Sequence, residues 1–177
     1  MRRFLAIMAI ATASLVSARA QQLPLPGQPV ARDVPGAKEL PDPTINYKVV
    51  FDISKGGGKV DEVNPTLTAV ARFLNTLAKN GVPADHRKIA VVYHQQGTPA
   101  VLNNDDFKAR NQGHDNPNIA LIRELSKAGV DFRVCGQALL AGKIDPKLVQ
   151  PEIEVDLWAL TTLVNLEMRG YARFGGN

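Results

Sequence analysis

The run KIAVVYH, from Lys88 to His94, decides the fold of this chain. Its apolar residues follow one another without interruption, which is the pattern of a strand that is buried on both faces. Strands of this kind belong to parallel sheets covered by helices on each side. The run therefore predicts an α/β fold, and the segments around it should alternate between strands and helices.

Further short apolar runs lie before and after it. YKVVFDI at residues 47–53, VDFRVC at 130–135 and EIEVDL at 152–157 have the length and β-branching of strands, and YARF at 171–174 is expected to add a short edge strand. Together these runs predict a sheet of about four to five strands.

Helices with clear start and stop signals lie between these runs. The Asn-Pro pairs at 64–65 and 116–117 each supply an N-cap and a residue that suits the first helical position, and Gly81 and Gly129 close the two amphipathic stretches. A last helix is predicted at about 159–169. Alternating strands and helices favour right-handed crossovers, so we predict a three-layer α/β/α fold with a mostly parallel sheet.

Residues 1–20, MRRFLAIMAIATASLVSARA, have the organisation of a cleavable signal peptide. Arg2 and Arg3 form a basic start, an apolar stretch follows, and residues 18–20 supply a small-x-small cleavage site. The apolar stretch is shorter than the roughly 20 residues that span a bilayer, which argues against the alternative of a retained N-terminal anchor. We expect a periplasmic product that is free of the membrane after cleavage.

Residues 21–45 are predicted to be a Pro-rich disordered or extended tether, because six of the twelve prolines lie within 21–43 and apolar periodicity is absent. An arm that wraps a neighbouring subunit is the alternative. A single domain at residues 46–177 would follow. Without residues 1–20 the formal charge falls from +4 to +1, and the basic residues are scattered among acids, which argues against a nucleic-acid partner.

Chemistry is expected at the carboxyl ends of the strands, where open parallel sheets bind ligands. Cys135, the single cysteine, ends one predicted strand, and the backbone N–H groups of a turn or short helix at Gly136 would favour its thiolate. The alternative role of Cys135 is that of a small buried hydrophobe. His94 ends the neighbouring run and would act as a base or hydrogen-bond partner for Cys135 if the two strands are adjacent.

The loop KGGGK at residues 55–59 is a second candidate site, for a phosphate or carboxylate, although it lacks the P-loop spacing and a mobile loop is the alternative. The predicted ligand-binding residues are Lys55, Gly56, Gly57, Gly58, Gly136 and Gln137. A metal site on Cys135, His94 and His114 has no supporting spacing, so we predict no metal and no cofactor.

The stretch DFRVCGQALLAGKI at 131–144, preceded by NPNIALIRELSKAGV and followed by a LWALTTLVNLEMRGYA helix, resembles the DsrE/DsrF/TusD (YchN-like) superfamily of small α/β proteins. The resemblance covers about residues 47–174. It implies that Cys135 carries sulfur as a persulfide, that donor or acceptor proteins act with it, and that the protein is a trimer or hexamer. The known relays are cytoplasmic, whereas this chain is expected to be exported.

Two functions of different class therefore remain open. The first is a sulfur carrier or transferase in which Cys135 accepts or passes sulfane sulfur. The second is a non-catalytic oligomeric binding protein for a small anionic ligand, with a structural cysteine. A homo-oligomer is expected in both cases, because the apolar residues of the last helix cover more than one of its faces.

Overall fold

A single parallel sheet organises the chain. The computed structural model describes residues 22–175, so the predicted signal peptide at 1–20 lies outside the described residues. The strands are β1 (Tyr47–Ile53), β2 (Arg87–Tyr93), β3 (Asp131–Cys135), β4 (Ile153–Asp156) and β5 (Ala172–Gly175). They lie in the order β4-β3-β2-β1-β5, and every adjacent pair is parallel. The predicted α/β fold is confirmed, and the last strand is an edge strand.

Helices cover both faces of this sheet. They are α1 (Pro65–Lys79), α2 (Asn104–Arg110), α3 (Ile119–Lys127), α4 (Gly136–Ala141) and α5 (Ala159–Met168), with a 3₁₀ segment at Gln95–Val101. The apolar residues of α1 and α3 form the larger core on one face, and those of α5 form a smaller core on the other. Within residues 22–175, no helix is long and apolar enough to cross a membrane.

The two Asn-Pro pairs have different outcomes. Asn64 caps α1 as predicted, since its side chain accepts a hydrogen bond from the backbone N–H of Thr66 at 2.9 Å. The prediction that Asn116 caps the next helix is wrong, because α3 begins at Ile119. Asn116 instead accepts from the N–H of Asn118 at 3.0 Å and donates to two buried carbonyls, so it closes a turn ahead of the helix.

The Pro-rich segment is extended, but it packs along α1 and differs from a free tether. Leu25 is 2% exposed, and its N–H and carbonyl both bind the side-chain amide of Asn75, at 3.1 and 2.9 Å. Further along, the N–H of Ala31 donates to Thr76 Oγ1 at 3.0 Å. The buried amide provides both a donor and an acceptor to the backbone of Leu25, which holds a segment that contains turns but no helix or strand.

Candidate functional site

An open cavity of about 800 Å³ lies at the carboxyl ends of the strands, bounded by the 3₁₀ segment, α4 and the first half of α5. Cys135 and His94 both line it. The pairing of Tyr93 with Val134 explains this proximity, because His94 and Cys135 are the next residues of two neighbouring strands. The structure thus brings the predicted cysteine and histidine to one cavity.

The Cys135 sulfur is held by the start of α5. The residue is 4% exposed, and its Sγ accepts a hydrogen bond from the backbone N–H of Ala159 at 3.2 Å. Ala159 is the first residue of α5, so the positive end of that helix dipole points to the sulfur and favours negative charge there. The sequence predicts that the N–H donors to this sulfur lie at Gly136 instead. Gly136 has a steric role, since a Cβ there would lie 2.8 Å from the carbonyl oxygen of Asp156.

His94 is oriented by a buried carboxylate. Its Nε2 lies 2.5 Å from Oδ1 of Asp52, whose side chain is fully buried and also accepts from Nε of Arg173 at 3.0 Å. Burial alone would raise the pKa of Asp52, but the hydrogen bonds and charges of His94 and Arg173 outweigh it and lower that pKa below its ordinary value. An ionised Asp52 only accepts hydrogen bonds, so Nε2 of His94 carries the proton and Nδ1 is left for another partner.

The other predicted ligand residues divide between two places. Gln137 lines the cavity beside Cys135, whereas Gly56, Gly57 and Gly58 line a separate, smaller cavity of about 200 Å³. Lys55 lines neither of these cavities, and its carbonyl accepts from the side chain of Asn64 at 3.1 Å. The glycine loop is therefore not part of the Cys135 cavity. In the described part of the chain, no group of three or more His, Cys, Asp or Glu residues is arranged to hold a metal ion.

The sequence alone did not identify several residues of this site. Asp52 carried a usable signal, since it is an acid inside the otherwise apolar end of the strand YKVVFDI. Arg173 gave none, because it lies 121 residues away and reaches Asp52 only through the pairing of β5 with β1. Gln95, which also lines the cavity, has φ of 49°, a left-handed conformation that is uncommon for a non-glycine residue and often found at functional sites.

Comparison with known proteins agrees with this architecture. Residues 48–174 match the model of the DsrE/DsrF-like family. The chain belongs to this family. Membership confirms the resemblance drawn from the sequence and suggests a protein of the sulfur-relay type.

One solved structure shares the fold. A protein of unknown function from Methanobacterium thermoautotrophicum, MTH1491, is 22% identical, with a TM-score of 0.51 over 72% of this chain and 97% of that one. No curated protein matches the chain.

Proposed function

We propose that this DsrE-family protein is an exported sulfur carrier that accepts sulfane sulfur on Cys135 as a persulfide and passes it to an acceptor. The observation that carries the proposal is the position of Cys135, which lines a cavity and whose Sγ accepts a hydrogen bond from the N–H of Ala159 at the start of α5. A thiolate is the nucleophilic form of cysteine, and a helix N-terminus favours it. Family membership supports the same chemistry.

The step in which Cys135 accepts sulfur from a donor needs no external oxidant. The Cys135 thiolate attacks the outer sulfur of a donor R–S–SH and forms a new bond between Sγ and that sulfur. The S–S bond of the donor breaks, its electron pair leaves on R–S⁻, and the proton stays on the transferred sulfur. His94, oriented by Asp52, has Nδ1 available to take the proton of the Cys135 thiol before the attack.

Export and assembly belong to the same proposal. The signal peptide predicted at residues 1–20 directs the protein to the periplasm, where donor or acceptor proteins would have to meet it. Homo-oligomerisation is supported by α5, whose outer face exposes Leu160 (49%), Val164 (46%) and Met168 (84%) at intervals of four residues. An apolar stripe of this kind is typical of an interface between subunits.

The proposal is tested by loading the purified protein with inorganic polysulfide and measuring its intact mass. We expect a gain of one sulfur atom that reductant removes, and no such gain in Cys135→Ser. The chain has a single cysteine, so the substitution removes the only thiol that could form the adduct. A wild-type protein that gains no sulfur under conditions that modify a free thiol would contradict the proposal.

A non-catalytic binding protein is the second candidate, because Cys135 is 4% exposed and its one hydrogen bond is satisfied internally. In that case the cavity would bind a small anion and the cysteine would only pack. Alkylation with iodoacetamide separates the two candidates. Modification of the folded protein supports the carrier, and modification only after denaturation supports the binding protein.

A further inference from the structure

The cavity beside Cys135 is larger and more apolar than an inorganic sulfur anion requires. Its volume of about 800 Å³ lies in the range of about 300–1,000 Å³ that is typical of sites for small organic molecules. Its apolar wall is formed by Pro99, Leu102, Ile144, Trp158, Leu160 and Leu163. Such a wall stabilises an alkyl group through burial and offers nothing to a hydrated ion.

The charged side chains at this cavity favour an anion. Arg110 and Arg173 line it, and no aspartate or glutamate does. Arg173 is paired with the carboxylates of Asp52 and Glu167, so its charge is already balanced within the protein. Arg110 forms no ion pair with any residue in 22–175, and its guanidinium donates only to two carbonyls at the end of α4, at 3.4 and 3.3 Å. A guanidinium has five N–H donors, so Arg110 can bind a further anionic group.

The cavity therefore combines an apolar wall and an available cation with the single cysteine of the chain, which lines the same cavity. An apolar wall with a few convergent polar or charged groups is the usual composition of a site for a small organic ligand.

We propose that this cavity binds a small organic persulfide that bears a carboxylate, which Arg110 recognises. The inference rests on the proposed function, since it names the class of sulfur donor for Cys135. The carboxylate pairs with Arg110, and the alkyl group contacts the apolar wall. The transfer is the one given above, with R as the carboxylate-bearing alkyl group, so R–S⁻ leaves with the electron pair of the broken S–S bond.

Two donors of equal length test this recognition. The persulfides of 3-mercaptopropionate and 3-mercaptopropanol differ in that the first ends in a carboxylate and the second in an alcohol. The rate of persulfide formation on Cys135 is measured for each donor by intact mass. Each rate is divided by the rate at which the same donor reacts with a free thiol, which corrects for the intrinsic reactivity of the donor. We expect the carboxylate donor to react about tenfold faster or more, because hydrogen bonds between charged groups are strong. Arg110→Gln should bring the ratio of the two rates close to one, and Arg110→Lys should retain part of it.

Arg72→Gln is the matched control, since Arg72 is an exposed arginine on α1, across the sheet from α5. It should leave the ratio unchanged. Equal rates for the two donors in the wild-type protein would overturn the inference. Faster loading by inorganic polysulfide than by the carboxylate donor would also overturn it.

Calorimetry separates this inference from the proposed function. If no donor modifies Cys135, the proposed function fails, and carboxylate recognition is then decided by binding of 3-mercaptopropionate to the Cys135→Ser protein. Binding that Arg110→Gln abolishes supports the recognition, and absence of binding refutes it.

Discussion

The two faces of the sheet differ in the size of the side chains that cover them. Towards α1 and α3, β2 directs Ile89, Val91 and Tyr93, which belong to the larger core. Towards α5, the same strand directs Ala90 and Val92. Cys135 belongs to this smaller cluster and lines the cavity, which indicates that the first face supplies most of the buried apolar core and the α5 face carries the nucleophile.

Asp52 and Cys135 reinforce this division. Both lie on strands whose alternate residues face α5, at the carboxyl ends of β1 and β3. A buried carboxylate such as that of Asp52 is unfavourable unless ionic partners compensate it, and His94 and Arg173 do so here. The face that accepts this cost is the face that borders the cavity.

Truncation of a leucine on each face tests the contrast directly. We expect Leu74→Ala, on α1, to lower the free energy of unfolding by about 2–5 kcal/mol, because Leu74 is 1% exposed in the larger core. Leu163→Ala, on α5, should cost less, since Leu163 borders an open cavity and the space left by its truncation joins that cavity, which water can fill. Urea denaturation of both variants measures the difference. An equal or larger cost at Leu163 would remove the distinction between the faces.

Removal of the buried carboxylate tests the α5 face alone. Asp52→Asn should lower the free energy of unfolding by about 2 kcal/mol at neutral pH, since it removes the charge of a buried carboxylate that interacts with His94 and Arg173. Asp33→Asn is the control, because the exposed pair of Asp33 with Lys79 should contribute less than about 1 kcal/mol. Similar small effects in both variants would show that the Asp52 cluster is not a strong interaction.

The same cluster sets a dependence on pH. The pKa of Asp52 is lower in the folded protein than the ordinary 3.8, so its contribution to stability is complete above that value and is lost as the pH falls through the folded pKa. Stability measured from pH 6 downwards should therefore fall in the acid range by a larger amount in the wild type than in Asp52→Asn. Parallel curves would contradict this assignment.

A substitution on the exposed side of α5 should cause the smallest change in the stability of the fold. Val164→Glu places a charge in the apolar stripe, so we expect it to prevent the proposed oligomer from forming while the subunit remains folded. Val34→Glu is the control, at an exposed valine of the N-terminal segment. Size-exclusion chromatography with light scattering measures the mass of each variant. A wild-type protein that elutes as a monomer would contradict the proposal that this protein forms an oligomer.

The sequence predicted the fold well because its signals were local. Continuous apolar runs, the Asn64 cap and the glycine stops each depend on residues within one element, and the strands and α1 lie close to where these signals placed them. The site required long-range information. The contact of Ala159 with Cys135 and that of Arg173 with Asp52 both depend on the path from β4 through α5 to the opposite edge of the sheet, which no local pattern specifies.

The N-terminal segment shows the same limit. Its composition predicts a segment without structure of its own, but the pairing of Leu25 with Asn75 spans 50 residues and binds the segment to α1. Proline content describes how a chain behaves in isolation and gives no information about a buried amide elsewhere in the molecule.

The central claim is that Cys135 carries sulfur, and the most direct test is the intact mass of the protein isolated from the periplasm, with and without reductant. The account predicts a periplasmic protein that begins at Gln21 and carries one additional sulfur atom on Cys135, which reductant removes. An unmodified thiol that also resists loading by polysulfide would contradict the account and favour the binding protein.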